Sequence, residues 1–362
     1  MPPKRVTMTD IAKAAGVSQS TVSNILGRNR ASSFPQETVT RVLTTAEKLG
    51  YQPQHRQSKA NILASRRILV LATRLTNPYY PSILQSIERE AHKNGLHVVC
   101  GDTYHRPELE KDYLDMALDM NFLAVIYLFP PDNPQALERA LKHLPIITIC
   151  DNMPDSKADQ VELNNYRSGC IAAEHLLSLG HQSIAVLSTP MDRSLARLSR
   201  VQGAQNLISV SDSGTLHIIS DLVDTTEEAL AAEKNFDYAV GYHLAQDPNL
   251  VKCGATAIIA VNDMVAIGAI DTLLEKGFRV PEDYSIIGFD NLFHTGLERI
   301  SLTTVDPHAD MLAQSAMDVL LHRLNIRTPN SLVSNMRFKA ECQPRLIVRK
   351  STAPPKGRGE GK

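Results

Sequence analysis

Side-chain catalysis needs a nucleophile, a base and a group that orients the base, all within reach of one another. The twelve histidines of this chain are scattered. None falls in an HExxH pattern, and the sequence holds no GxSxG elbow and no phosphate-cradling glycine loop. Asp102 with His105, or His175 with His181, come nearest to an acid–base pair, but nothing supplies a nucleophile beside either. No catalytic residue, and so no enzyme, is expected. The five cysteines (Cys100, Cys150, Cys170, Cys253, Cys342) are far apart, odd in number and never in a CxxC pair. They read as reduced thiols among apolar neighbours, with no disulfide framework, metal or cofactor. With no tryptophan and 5% aromatic residues, stacking platforms for single-stranded nucleic acid are not expected.

Binding chemistry remains. A buried polar ligand needs paired donors and acceptors, since each buried polar group must be satisfied. Candidate groups lie where apolar runs end. Asp290 follows Ser285–Gly288, Asp151 follows Ile146–Cys150, and Asn77, Tyr79 and Tyr80 follow Ile68–Ala72. Further short apolar runs at 96–100, 124–128, 183–187 and 257–260 alternate with helical stretches, such as Tyr80 to Asn94 closed by Gly95. Short apolar strands with helices between them predict an α/β fold with parallel sheets covered on both faces. About 280 residues of this exceed one comfortable core, so two lobes are expected, with ligands at the strands' carboxyl ends.

The net charge of −1 hides a division. Residues 1–67 carry +8, the last fourteen residues +4, and the stretch between them −13. A basic head on an acidic body suits a nucleic-acid-binding module joined to something that binds something else. In the head, Thr7 and Asp10 form a capping-box start, Gly16 ends the first short helix, and Ser18 caps a second with Val22, Ile25 and Leu26 on one face. A third periodic segment from about Gln36 has Val39, Val42, Leu43, Ala46 and Leu49 in phase and stops at Gly50. This is a three-helix helix-turn-helix module. No apolar signal core follows the N-terminus, and no apolar stretch is long enough to span a bilayer, so the expectation is a cytoplasmic protein with no membrane partner.

Residues Val6–Ala12, Ala15–Ser18, Ser20–Ser23 and Leu49–Pro53 resemble the head of the lactose/galactose-repressor (LacI/GalR) family. The body continues the resemblance in order with Asn77-Pro78-Tyr79-Tyr80, Leu179-Gly180-His181, Val261–Gly268, Val280–Asp283, Ile287–Asn291 and Leu302–Val305. The resemblance implies a repressor whose paired heads read a near-palindromic operator in double-stranded DNA. It implies a homodimer or tetramer, and a periplasmic-binding-protein-like body that senses a sugar or nucleoside effector between its lobes. The domains would be 1–53 for the head, 54–66 for the hinge and 67–348 for the body, with 349–362 a disordered tail. The lobes would comprise about 67–161 with 292–322, and about 162–291 with 323–348. A small-molecule binding protein whose DNA binding is weak or partner-dependent is the alternative.

By position in the motif, Gln19, Ser20 and Asn24 would reach base edges in the major groove, while Thr7, Ser18, Thr21 and Ser23 would hold phosphates. Tyr51 and Lys59, at the junction and in the hinge, complete the implied DNA set. Asn24 stands where many relatives carry arginine, and asparagine suits adenine rather than guanine. Ala60 stands where the family usually places a minor-groove leucine wedge, with Ile62 and Leu63 as substitutes. Pro53-Gln54, Gly101-Asp102 and Ile286–Asn291 lean toward the cytidine-repressor-like branch. In the body, Arg200 matches an arginine three residues before a glycine that points into the family's cleft, although Arg197 competes for that role. Asp263 matches the acid of the family's Asn-Asp motif.

Overall fold

The computed structural model describes residues 6–26, 34–49, 66–150, 153, 156–189, 195–211, 214–220, 236–325 and 336–356. Contacts divide the chain into two units, Met1–Ile62 and Leu63–Lys362.

The first unit holds α1 (Met8–Ala15), α2 (Gln19–Leu26) and α3 (Gln36–Lys48). The capping box forms as the residue types dictate: the Asp10 amide donates to Thr7 Oγ1 at 3.3 Å, and the Thr7 amide donates to Asp10 Oδ2 at 2.8 Å. Gly16 closes α1 at φ 66°, a left-handed conformation that costs glycine nothing. Ser18 Oγ then accepts from the Thr21 amide at 3.1 Å and starts α2. Ile11, Val22, Ile25, Val39 and Val42 make the small core. Leu43 and Leu49, in phase by sequence, are instead exposed, because the buried stripe of α3 narrows to Val39, Val42 and Ala46.

The second unit contains two six-stranded sheets. In the first lobe the order is β11 (Lys339–Cys342), β5 (Asp159–Leu163), β4 (Ile146–Ile149), β3 (Ala124–Tyr127), β1 (Arg67–Ala72), β2 (His97–Asp102). In the second it is β12 (Arg345–Ile347), β10 (Thr303–Asp306), β9 (Ser285–Phe289), β8 (Ala257–Ala260), β6 (Ser183–Ser188), β7 (Thr215–Ser220). Every pairing is parallel except β10 with β12. Apolar side chains fill both faces of the first sheet, as a parallel sheet requires: Ile68, Val70 and Ile126 on one, Leu69, Leu71 and Tyr127 on the other.

Two expectations are corrected here. Residues 292–306 were expected in the first lobe, yet β10 sits between β9 and β12 in the second sheet. Its Thr304 hydroxyl is tied to Asp263, and Val305 joins that lobe's core. Conversely, β11 extends the first sheet, where Cys342 and Ala340 pack into the first lobe's core. The chain therefore crosses between lobes after β5, after β10 and after β11.

The second correction concerns the tail. Residues 349–356 are ordered against the second lobe. The Ile286 amide donates to Ser351 O at 2.7 Å, and the Ser351 hydroxyl donates to Ile286 O at 2.6 Å. His181 lies beneath, 1% exposed, with Nδ1 2.8 Å from Thr256 Oγ1 and Nε2 2.9 Å from Ala353 O. Ala353 O is an acceptor, so Nε2 carries the proton. Burial pushes the His181 pKa below its ordinary value, which keeps the ring neutral. Ending the chain after Arg349 orphans the Ile286 amide and strips His181 of its acceptor. A loss of about 3 kcal/mol is expected, several degrees in Tm. An unchanged melting curve would refute a structural role for the strap. A base with a depressed pKa favours folding above its ordinary value, so this contribution should fade as pH drops below about 6.5.

Candidate functional site

Two helix crossings bring the polar residues of the second lobe into place. Helix α7 (Asn165–Ser178) meets α8 (Leu195–Ser211) through Gly169 and Gly203, so closely that a Cβ on Gly169 would stand 1.8 Å from Arg200 O. Helix α9 (Phe236–Leu244) meets α11 (Asp263–Glu275) in the same way through Gly241 and Gly268. The first crossing presses Arg200 into the lobe, and the second sets Asp237 at the start of α9.

Arg200 is 9% exposed, and every part of its guanidinium is engaged. Nε donates to Asn165 Oδ1 at 2.8 Å, Nη1 to Val261 O at 2.7 Å, and Nη2 reaches Asp290 Oδ1 at 3.5 Å. The Phe289 ring lies 4.8 Å from its Cζ. Asp290 is held at φ 111°, and Asn291 follows at φ 49°. Side-chain-bearing residues keep such conformations only where the surroundings enforce them. Here the Asp290 amide donates to Val305 O at 3.0 Å, and Arg349 Nη2 donates to Asn291 Oδ1 at 2.6 Å. Burial pushes the Asp290 carboxyl up to about 6, with Asp237 adding to the rise and Arg200 and Arg197 opposing it.

The lobes touch through a polar cluster. Asn77, after β1, donates from Nδ2 to Asp237 Oδ2 at 2.8 Å. Arg197 donates to Asp237 Oδ1 at 2.8 Å and also bonds the Thr189 hydroxyl. Tyr80 accepts from Thr73 Oγ1 at 3.1 Å. Its phenol is raised by burial and feels Arg197, Asp237 and Arg74. Arg74 spans the lobes, its Cζ 5.0 Å from the Phe236 ring centroid. This arrangement can grip a small polar molecule from two sides, with donors and acceptors on both. Among the described residues no group of three His, Cys, Asp or Glu side chains could hold a metal ion. No described helix is long and apolar enough to cross a membrane.

In the head, α2 presents Gln19, Ser20, Ser23 and Asn24 on its exposed side, opposite buried Val22 and Ile25. The Ser18 hydroxyl lies 2.7 Å from that of Ser20 and 2.8 Å from that of Thr21, an array of short polar groups at the start of the helix. Helix N-termini with hydroxyls suit phosphate contacts.

Residues 7–54 match the profile of bacterial regulatory proteins of the lacI family, and residues 173–352 that of periplasmic binding protein-like domains. The chain belongs to the lacI family. It is 27% identical over 347 residues to the HTH-type transcriptional repressor PurR of Mannheimia succiniciproducens, covering 95% of this chain and 98% of that protein. The PurR of Klebsiella pneumoniae (strain 342) is 28% identical over 353 residues, with 96% and 97% covered. A LacI family regulator from Enterococcus faecium, solved with bound ribose, is 26% identical at a TM-score of 0.66, with 80% of this chain and 100% of that one covered. The lac repressor dimer bound to operator and the anti-inducer ONPF shares the fold at a TM-score of 0.64, with 24% identity over 97% of this chain and 100% of that one. This lacI-family member is a DNA-binding repressor with an effector-binding body, and not an enzyme.

Within this repressor the expected residues separate. Asn77 and Tyr80 meet the second lobe's cluster, and Arg200 meets Asp290. Tyr79, like Tyr80, packs against the first lobe's core, the two rings edge-on with centroids 5.5 Å apart. Asp263 is fully buried, accepting from Thr304 Oγ1 at 2.6 Å and from the Leu292 amide at 2.9 Å. Its carboxylate fills the space that Gly288 leaves open, since a Cβ there would lie 2.3 Å from Asp263 Oδ1. Asp263 thus clamps the loop that carries Asp290 and does not reach the cross-lobe cluster. Asp151, Tyr51, Lys59, Ala60, Ile62 and Leu63 lie outside the described residues. Sequence reasoning missed Arg74, Thr189, Phe236 and Asp237. Only Arg74 and Thr189 carried a signal, as polar residues within two positions of a strand's end.

Proposed function

We propose that this protein acts in the cytoplasm as a dimer that binds a near-palindromic operator and changes its operator affinity when a sugar or nucleoside enters the cleft between the lobes. The DNA reading rests on one observation above all: a basic head whose second helix turns Gln19, Ser20, Ser23 and Asn24 outward, away from its core. Gln19, Ser20 and Asn24 read base edges; Thr7, Ser18, Thr21 and Ser23, with Tyr51 and Lys59, hold the backbone. Residues 1–53 serve as head, 54–66 as hinge and 67–348 as sensor.

In the sensor, Asn77, Tyr80, Arg200 and Asp290 meet the effector, Asp151 and Tyr79 flank it, and Asp263 acts from behind. Ligand acts by its differential affinity for two lobe arrangements. The cross-lobe bond between Asn77 and Asp237 supports this, since any rotation of the lobes must break or make it.

The test selects operator sequences from a random DNA pool with the full chain. Enrichment of two inverted half-sites, bound by two chains, is the expected result. The Asn24→Arg variant should shift the preferred base at one half-site position from adenine toward guanine, with about 1–3 kcal/mol of discrimination. An unchanged preference would remove Asn24 from base reading. No enrichment at all would sink the operator reading.

A further inference from the structure

Two ion pairs stand on the second lobe's side of the cleft. Arg200 faces Asp290, and Arg197 faces Asp237. Burial and the neighbouring Asp290 push the Asp263 carboxyl well above its ordinary value, and Arg349 opposes that rise from across the loop. Arg74 has no carboxylate partner among the described residues. Its guanidinium is half-buried and lies against the Phe236 ring, 5.0 Å from Cζ to centroid. An aromatic face fixes a guanidinium's plane and leaves its edge N–H donors free. A planar fork of donors, oriented in advance at the contact of two lobes, is the geometry that binds a phosphate or carboxylate with two parallel hydrogen bonds.

We propose that the effector of this cleft carries an oxyanion, a phosphate monoester or a carboxylate on its sugar or nucleoside, and that Arg74 holds that group. The proposal rests on the cleft reading above and narrows it. The anion would pair with the Arg74 guanidinium, and Asn77, whose amide donates to Arg74 O at 3.1 Å, and Tyr80 follow it in the same segment to bond the neutral part of the molecule. Arg74 comes from the first lobe and Phe236 from the second, so the stack exists only when the lobes are together. An anion seated there favours the closed arrangement.

The experiment uses the full chain in calorimetry and thermal shift. Inorganic phosphate is compared first with chloride at equal ionic strength. Matched sets follow: ribose, ribose 5-phosphate and ribonate; glucose, glucose 6-phosphate and gluconate; adenosine and adenosine monophosphate. The expected result is that phosphate raises Tm and that one anionic member binds about tenfold or more tightly than its neutral parent. In Arg74→Gln that preference should collapse to within about threefold, and Arg74→Lys should restore only part of it, as a point charge without the fork. The phosphorylated and carboxylated arms tell the two anions apart. Equal or tighter binding of a neutral parent overturns the anion assignment while leaving the cleft reading intact, as does a preference that survives in Arg74→Gln. Binding of no member overturns both.

Discussion

Gly203→Ala should destabilise the body by about 3–5 kcal/mol, although alanine is the better helix former. The added Cβ would stand 2.0 Å from Tyr166 O and 3.2 Å from the Cys170 amide nitrogen, all of it backbone. A backbone cannot turn aside as a flexible side chain can, so α8 must lift from α7 by roughly 1 Å or more. That separation also uncovers the reciprocal contact, in which Gly169 faces Arg200 O. Replacing glycine in a helix returns about 1 kcal/mol at most. The steric term is several times larger and decides the sign. Urea denaturation of the full chain measures it directly. A midpoint equal to or above that of the parent would mean the crossing is not close-packed. Because Arg200 sits one turn before Gly203, the same variant should also lose effector binding.

How much of this was legible in the sequence follows from where partners come from. The strands β1, β3, β4, β6, β8 and β9 are apolar runs, and their burial on both faces can be read locally. The strand β5 reads Asp-Gln-Val-Glu-Leu and looks like a surface loop. It is buried because Asp159 takes a two-pronged bond from Arg323, both contacts at 2.7 Å, and Gln160 Nε2 donates to Met153 O at 2.6 Å. Arg323 lies 164 positions away, and no local pattern announces it. The lobe boundaries were misjudged for the same reason, since β10 and β11 exchange sheets through pairings that only the assembled chain displays.

The candidate site divides in the same way. Asn77, Tyr80 and Asp290 follow strands, and Arg200 stands in a family motif, so each carries a local signal. Asp237 carries none. It acquires meaning only when the lobes bring it to Asn77, 160 positions earlier. The ambiguity between Arg197 and Arg200 resolves into two roles. Spaced i, i+3, they share one helix face; Arg200 braces the second lobe from within, while Arg197 meets the lobe contact.

Arg200→Ala is the variant with the widest expected consequence. It removes the bonds that Arg200 donates to Asn165 Oδ1 and Val261 O and takes the cation from Asp290, in a place where side-chain exposure is 10% and 7% for Arg200 and Asp290. Breaking a buried ion pair from one side costs about 3–5 kcal/mol, most of it from the stranded charge. That attribution can be checked by pH. The Asp290 carboxyl already stands at about 6 because of burial, and losing Arg200 removes the strongest influence holding it down. A carboxyl whose folded pKa is raised favours folding when protonated, and that advantage is lost as pH rises through the folded value. At about pH 5 Asp290 is protonated with or without Arg200, and only neutral hydrogen bonds separate variant from parent. At about pH 8 the full ionic cost appears. The stability gap should therefore narrow as pH falls from about 8 to 5, and Asp290→Asn, introduced alongside, should recover part of the loss at the higher pH. A gap that stays constant across that range would show the loss to be packing alone. Effector response should vanish in Arg200→Ala whichever origin the instability has, because the same guanidinium fixes the strand end and loop from which Asp290 is presented.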